Sequence, residues 1–340
     1  MSVCFFYICL DYETRNYLKI EMMKRMRMLF IVCLFILSPV GALFGQDLAA
    51  AVEVYNAGGM ALEVGDYPAA IESFSKALSM LEALPADARG EEGEKMITGS
   101  KEIIPQLHLR YGKGLTNAKE FDKAIAELNK AIETGEKYGV ADVKAEATEL
   151  MPQVMLAGAT TLLNDGKGAE AVAGFKKVLE LEPDNAAAYY RLGAAEASIN
   201  NEDGAIVAFE KAIEMGDKNA ISSIATIYLK KASAAYSAKK MQETFDNAVK
   251  ADGYAESANS KKLGGISAYQ LKKYDDAIKY LEAYIAMSPT ASDKNTMIYM
   301  IALSYEAKNN TAKACGYFKQ IINDPTYKET ATYKVGQYKC

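Results

Sequence analysis

Two segments of the chain repeat one pattern 34 residues apart, and a fixed period of that length restricts the fold to a stack of like units. Ala171, Phe175, Val178 and Pro183 form the first copy; Ala205, Phe209 and Ala212 form the second, with Tyr189, Leu192 and Gly193 opening the second unit between them. Small residues at i and i+7 with an aromatic at i+4 share one stripe of a helix. Two compact contacts let a neighbouring helix approach, and the ring fills the gap beside them. Leu192 and Gly193 do the same for the partner helix. No region alternates apolar and polar as strands do, so the chain reads as all-α.

Taking the small residue at the start of each copy as a mark gives seven units, at Ala70, Ala124, Ala171, Ala205, Thr244, Ala277 and Ala314. A second row of small residues, Gly58, Gly112, Ala159, Gly193, Ala232, Gly265 and Ala302, falls on the preceding helix and agrees with that register. Steps between marks are 54, 47, 34, 39, 33 and 37 residues, so the first two units are stretched. The extra length lies around 85–101 and 138–149, and Ile103-Ile-Pro-Gln-Leu and Leu150-Met-Pro-Gln-Val share a proline at the start of a first helix. Proline is tolerated at a first helical position and kinks a helix that continues behind it. The solenoid should therefore bend differently at its N-terminal end.

The pattern resembles the tetratricopeptide repeat, whose consensus runs through a large residue, Leu-Gly, an aromatic, Ala, a second aromatic, Ala and Pro. The resemblance covers about residues 48–325 and implies a right-handed α-solenoid of about seven helix-turn-helix repeats over 47–325. Residues 326–340 are expected to form a capping helix carrying Tyr333 and Val335. It also implies that partners lie in a concave groove lined by the first helix of each repeat. The residues that fall on it are Tyr55, Asn56 and Glu63; Gln106, Arg110, Lys113 and Asn117; Gln153, Thr160 and Asn164; Tyr190 and Arg191; Lys230 and Tyr236; Lys262 and Tyr269; Tyr299 and Glu306. Five are cationic and two anionic, which suits an extended acidic or carboxylate-ended peptide, with Asn and Gln for its backbone. The full carboxylate-clamp set is not reproduced. An anionic glycan or other solute in the same groove, or assembly through the convex face, are the alternatives.

Met23 to Met28 is basic and Leu29 to Leu37 is an unbroken apolar run, followed by Ser38-Pro39 and small residues at Gly41, Ala42 and Gly45. That order is expected of a secretory signal peptide over 22–46, with an N-terminal anchor as the alternative and 1–21 as an upstream start extension. Removal of 1–46 leaves 34 Lys/Arg against 41 Asp/Glu, a formal charge of −7, and only two cysteines, Cys315 and Cys340. In an exported periplasmic protein these two are a disulfide candidate worth ~3 kcal/mol by chain entropy. A buried Cys315 with a free Cys340 thiol is the other possibility.

An acidic body argues against a nucleic-acid partner, since phosphate backbones demand a basic face. A single histidine, His108, excludes His-rich metal schemes and is expected to be a packing residue, and no Ser-His-Asp arrangement is expected around it. Gly112-Lys-Gly-Leu and Asp165-Gly-Lys-Gly lack the rest of a phosphate loop. The expectation is a non-catalytic interaction scaffold of the cell envelope, with no cofactor and no metal.

Overall fold

The computed structural model describes residues 39–340. The upstream segment 1–21, and the signal segment 22–46 up to residue 38, lie outside the described residues. Those described form fifteen helices and no strand: α1 (Pro39–Glu63), α2 (Tyr67–Ala83), α3 (Ala86–Asn117), α4 (Phe121–Tyr138), α5 (Ala141–Asn164), α6 (Gly168–Leu181), α7 (Ala186–Ser198), α8 (Glu202–Glu214), α9 (Asn219–Ser237), α10 (Met241–Tyr254), α11 (Ala258–Gln270), α12 (Tyr274–Met287), α13 (Lys294–Ala307), α14 (Thr311–Gln320) and α15 (Lys328–Tyr338). Pairs α1–α2 through α13–α14 are the seven repeats. The chain divides between Leu107 and His108 into two compact units.

The two rows read from the sequence meet inside each pair. All seven marks are fully buried, including Thr244, whose hydroxyl donates to the Lys240 carbonyl at 3.0 Å. A Cβ built on Gly58 would lie 3.1 Å from the Phe74 ring, on Gly112 3.1 Å from Leu128, on Gly193 2.7 Å from Phe209 and on Gly265 2.5 Å from Leu281. The glycines of the first helix are therefore sockets for the large residue of the second.

Every first helix ends in the same way. At that end one residue adopts a left-handed conformation: Gly65, Lys119, Gly166, Asn200, Lys239, Lys272 and Asn309, with φ between 59° and 78°. Its N–H bonds three residues back and the next N–H five back, as in Lys239 to Tyr236 (2.9 Å) and Lys240 to Ala235 (2.9 Å). These paired bonds are the Schellman motif, which satisfies the last carbonyls of a helix and stops it. The following residue then caps the second helix where its side chain allows, as Asp66, Asn201 and Asn310 do.

The stretched steps are not loops. The extra residues lengthen the first helix backward, giving 32 residues in α3 and 24 in α5 against 13 in α7. Both helices run through their prolines, Pro105 and Pro152, and α3 is interrupted instead at Gly90 (φ 62°, ψ −171°).

In the second unit, α15 closes the last repeat, burying Ala331 against Ile298, Ala302, Phe318 and Ile321. Val335 packs there as expected, but Tyr333 is 67% exposed, and Tyr327 and Tyr338 take its place. Cys315 is paired with Cys340 across Cα atoms 6.5 Å apart, beside the end of this helix. No described helix is long and apolar enough to cross a membrane.

Candidate functional site

In the second unit the first helices α3, α5 and α7 stand side by side. Lys113 of α3 reaches Glu146 of α5, and α5 touches α7 directly. Among the later first helices α9 touches α11 and α11 touches α13. These first helices hold most of the residues expected to meet a partner, but their situations differ widely.

The cations divide into two groups. Lys113 is paired with Glu146, Lys230 with Glu202 at 3.0 Å, and Lys262 with Asp293. Lys262 also lies 5.8 Å over the Tyr284 ring, and that tyrosine's hydroxyl donates to Asp293 at 2.7 Å. Burial works against the Asp293 charge, yet the hydrogen bonds from Lys262 and Tyr284 hold its carboxyl below the usual range. Arg110 and Arg191 have no carboxylate or hydrogen-bond partner among the described residues, and both are half-buried. The positive excess of the groove positions is thus largely cancelled by acids lying outside those positions, and it survives at the two arginines.

Several tyrosines serve the fold. Tyr190 tilts against Phe209 (5.4 Å between centroids), Tyr269 stands edge-on to Tyr274 (6.5 Å), and Tyr299 stacks on Tyr327 (4.6 Å) and meets Phe318 edge-on (6.2 Å). Burial, with smaller contributions from Tyr299, Tyr274 and Glu306, pushes the Tyr269 hydroxyl up. Glu306 is neutralised by Lys334 of α15. Tyr236, Asn117, Gln153 and Asn164 remain exposed, while Thr160 turns its hydroxyl back to the Leu156 carbonyl.

In the first unit, Tyr55 packs edge-on to Phe74 (5.1 Å) with its hydroxyl above Gly99, where a Cβ would come within 2.9 Å; Asn56 is exposed. Burial first, and Glu102 second, raise the Tyr55 pKa.

His108 is buried with Nδ1 2.7 Å from Glu127 Oε2, and Lys130 reaches the other oxygen at 2.8 Å. It joins α3 to α4 inside the repeat. Among the described residues no cluster of His, Cys, Asp and Glu could hold a metal ion. A cavity of about 920 Å³ opens where α8, α9 and α10 meet, lined by Glu202, Lys230, Lys231, Lys240 and Glu243 around a floor of Ala234, Ala235 and Ala238. Its lysines are each paired, Lys231 with Asp203 (2.8 Å) and Lys240 with Glu243 (3.2 Å).

Family models described as tetratricopeptide repeat match residues 156–220 and 242–292, and a further one matches 297–326. The chain thus carries tetratricopeptide repeats. Solved structures similar to it include YrrB, described as a TPR protein with an unusual peptide-binding site (19% identity, 53% of this chain and 89% of that one, TM-score 0.32). MamA (21%, 54% and 96%, TM-score 0.33) and a tetratricopeptide repeat protein from Parabacteroides merdae ATCC 43184 (12%, 69% and 92%, TM-score 0.32) are others. No curated protein matches the chain.

Missing from the sequence expectation were the acids that neutralise the groove lysines. They lie 33, 28 and 31 residues from their partners in Lys113–Glu146, Lys230–Glu202 and Lys262–Asp293, close to one repeat. A search for opposite charges one period apart would have found them.

Proposed function

We propose that this chain is a non-catalytic scaffold that holds an extended, acidic protein segment against its first helices, centred on α3, α5 and α7. The observation that carries this is the pair of guanidinium groups, Arg110 and Arg191, left without acids on a face whose lysines are neutralised by the fold. Arginine is suited to planar, two-point recognition of carboxylates. Exposed amides at Asn117 and Asn164 offer donors and acceptors to the backbone of such a segment.

The setting we propose is outside the cytoplasm, at the cell envelope, on the strength of the basic-then-apolar segment at 23–37. Sequencing the mature N-terminus checks the cleaved signal peptide on which this rests: a terminus upstream of residue 29 overturns cleavage and leaves the N-terminal anchor.

A photo-crosslinking residue placed at Gln153, exposed on the first-helix face, should capture a partner segment. One at Val207, 60% exposed on the second helix α8, should not. Crosslinks confined to Val207 would transfer the function to the opposite face.

A further inference from the structure

The chain has only six arginines, of which three fall among the described residues. One, Arg89, is paired with Glu94 at 3.1 Å. The other two occupy the same place in their repeats: Arg110 and Arg191 each lie two residues before the small socket residue of the first helix, Gly112 and Gly193. The helix between them carries Ala157 there, two residues before Ala159, so nothing of either charge stands between the two guanidiniums in this row. In the next repeat the place belongs to Lys230, which Glu202 neutralises, and in the last two to Leu263 and Met300. Neither arginine leaves a buried nitrogen without a partner, so both heads are open to solvent while their stems are packed.

Two equivalent positions on α3 and α7 are separated by two helix-to-helix steps, about 16–20 Å at ordinary packing distances. An extended chain covers about 3.3 Å per residue. We infer that the bound segment carries two carboxylates about five to six residues apart, one for Arg110 and one for Arg191, with small or apolar residues over Ala157 between them. This rests on the proposed use of the first-helix face and adds the spacing that would make a segment a ligand. A single cluster of acids would engage one arginine and leave the other unmatched. A continuous polyanion would gain little over two correctly placed charges, because the surrounding lysines are already paired.

The test is a series of fluorescent peptides of one length, built on Gly, Ser and Ala, with two Glu residues separated by two, six or ten positions. Binding is read by anisotropy on the full chain. The six-position peptide should bind about tenfold tighter than the others, the scale of one charge-assisted contact. Arg191→Glu should remove that advantage, and a peptide with Lys in place of the matching Glu should recover it on this variant. Arg191→Gln, with helicity checked by circular dichroism, serves should the charge reversal disturb the fold.

Affinity independent of spacing overturns the inference, and so does a sulfated oligosaccharide that outcompetes every peptide. Failure of every peptide to bind also overturns it. Partner crosslinks from Gln153 would still stand in that case, which separates a wrong spacing from a wrong face.

Discussion

Repeats four and five use one scaffold and fill it in opposite ways. In α7–α8 the Phe209 ring sits in the socket of Gly193, with Ala205 and Ala212 on either side. In α9–α10 the corresponding residues are Ala232 and Ala248, both fully buried, with Thr244 as the mark. The only aromatic of α10 before its last residue, Phe245, faces away from the pair to meet Tyr280 of α12 edge-on at 6.2 Å. The first repeat of this comparison is held by a ring in a hole, the second by two helices with small residues between them. The cavity of about 920 Å³ opens on the second. The lesson is that the turn and the buried mark define the repeat, while the filling of the socket sets how firmly it is held.

The largest effect that would break this comparison is expected at the ring. Phe209→Ala should cost about 3–5 kcal/mol in chemical denaturation, whereas Ala248→Gly should cost about 1 kcal/mol. Equal losses would mean that repeat five has a hidden core of its own.

Repeat seven adds a covalent tie to the same ring-in-socket design, Ala302 against Phe318 with Cys315 joined to Cys340. Opening that 25-residue link, by reductant or by Cys340→Ser, should lower stability by about 3 kcal/mol, with increased hydrogen exchange confined to α14 and α15. Equal thiol titration before and after reduction would remove the tie from the comparison.

A smaller change tests the shared turn. Lys239 and Lys272 hold left-handed conformations that a side chain disfavours, so Lys239→Gly and Lys272→Gly should each stabilise the chain by about 1 kcal/mol. A loss at either would show that the lysine stem contributes more than its backbone costs.

The last test concerns repeat two, which adds a buried polar pair, His108 and Glu127, to the apolar packing of Leu128 between its helices. Burial raises the Glu127 carboxyl, but hydrogen bonds from Lys130 and His108 outweigh it and hold the group below its usual range. A carboxyl depressed in the folded state stabilises above its unfolded value near ~4.3 and loses that contribution as pH falls through the folded value. The stability difference between the natural chain and Glu127→Gln should therefore shrink with acidification below about pH 4. A difference that stays flat would assign the pair to packing alone.

Much of the fold was legible because it rests on two rows of small residues, and steric size is written in residue type. The turns were less so. A glycine rule finds the left-handed residue at Gly65 and Gly166 but misses Lys119, Lys239 and Lys272, where the Schellman bonds impose the conformation on a residue with no preference for it. Which residues fall on the first helices was legible from the register, but the charge they present was not. Lys113, Lys230 and Lys262 are cationic in sequence and neutralised in space, since their acids come from other helices. Tyr299 likewise belongs to the row in sequence, and to the closing helix through Tyr327 in space.

The seven identical helix ends also explain how the chain can grow. Because each first helix carries its own stop, residues added ahead of it are wound onto its beginning and cannot shift what lies beyond the turn. The long α3 and α5 are insertions absorbed in this way, with Gly112 still opposite Leu128 and Ala159 and Phe175 still in one core. A chain punctuated at one end only is a ruler whose zero mark never moves. New length, and with it new surface, can be tried upstream while the downstream geometry is inherited unchanged.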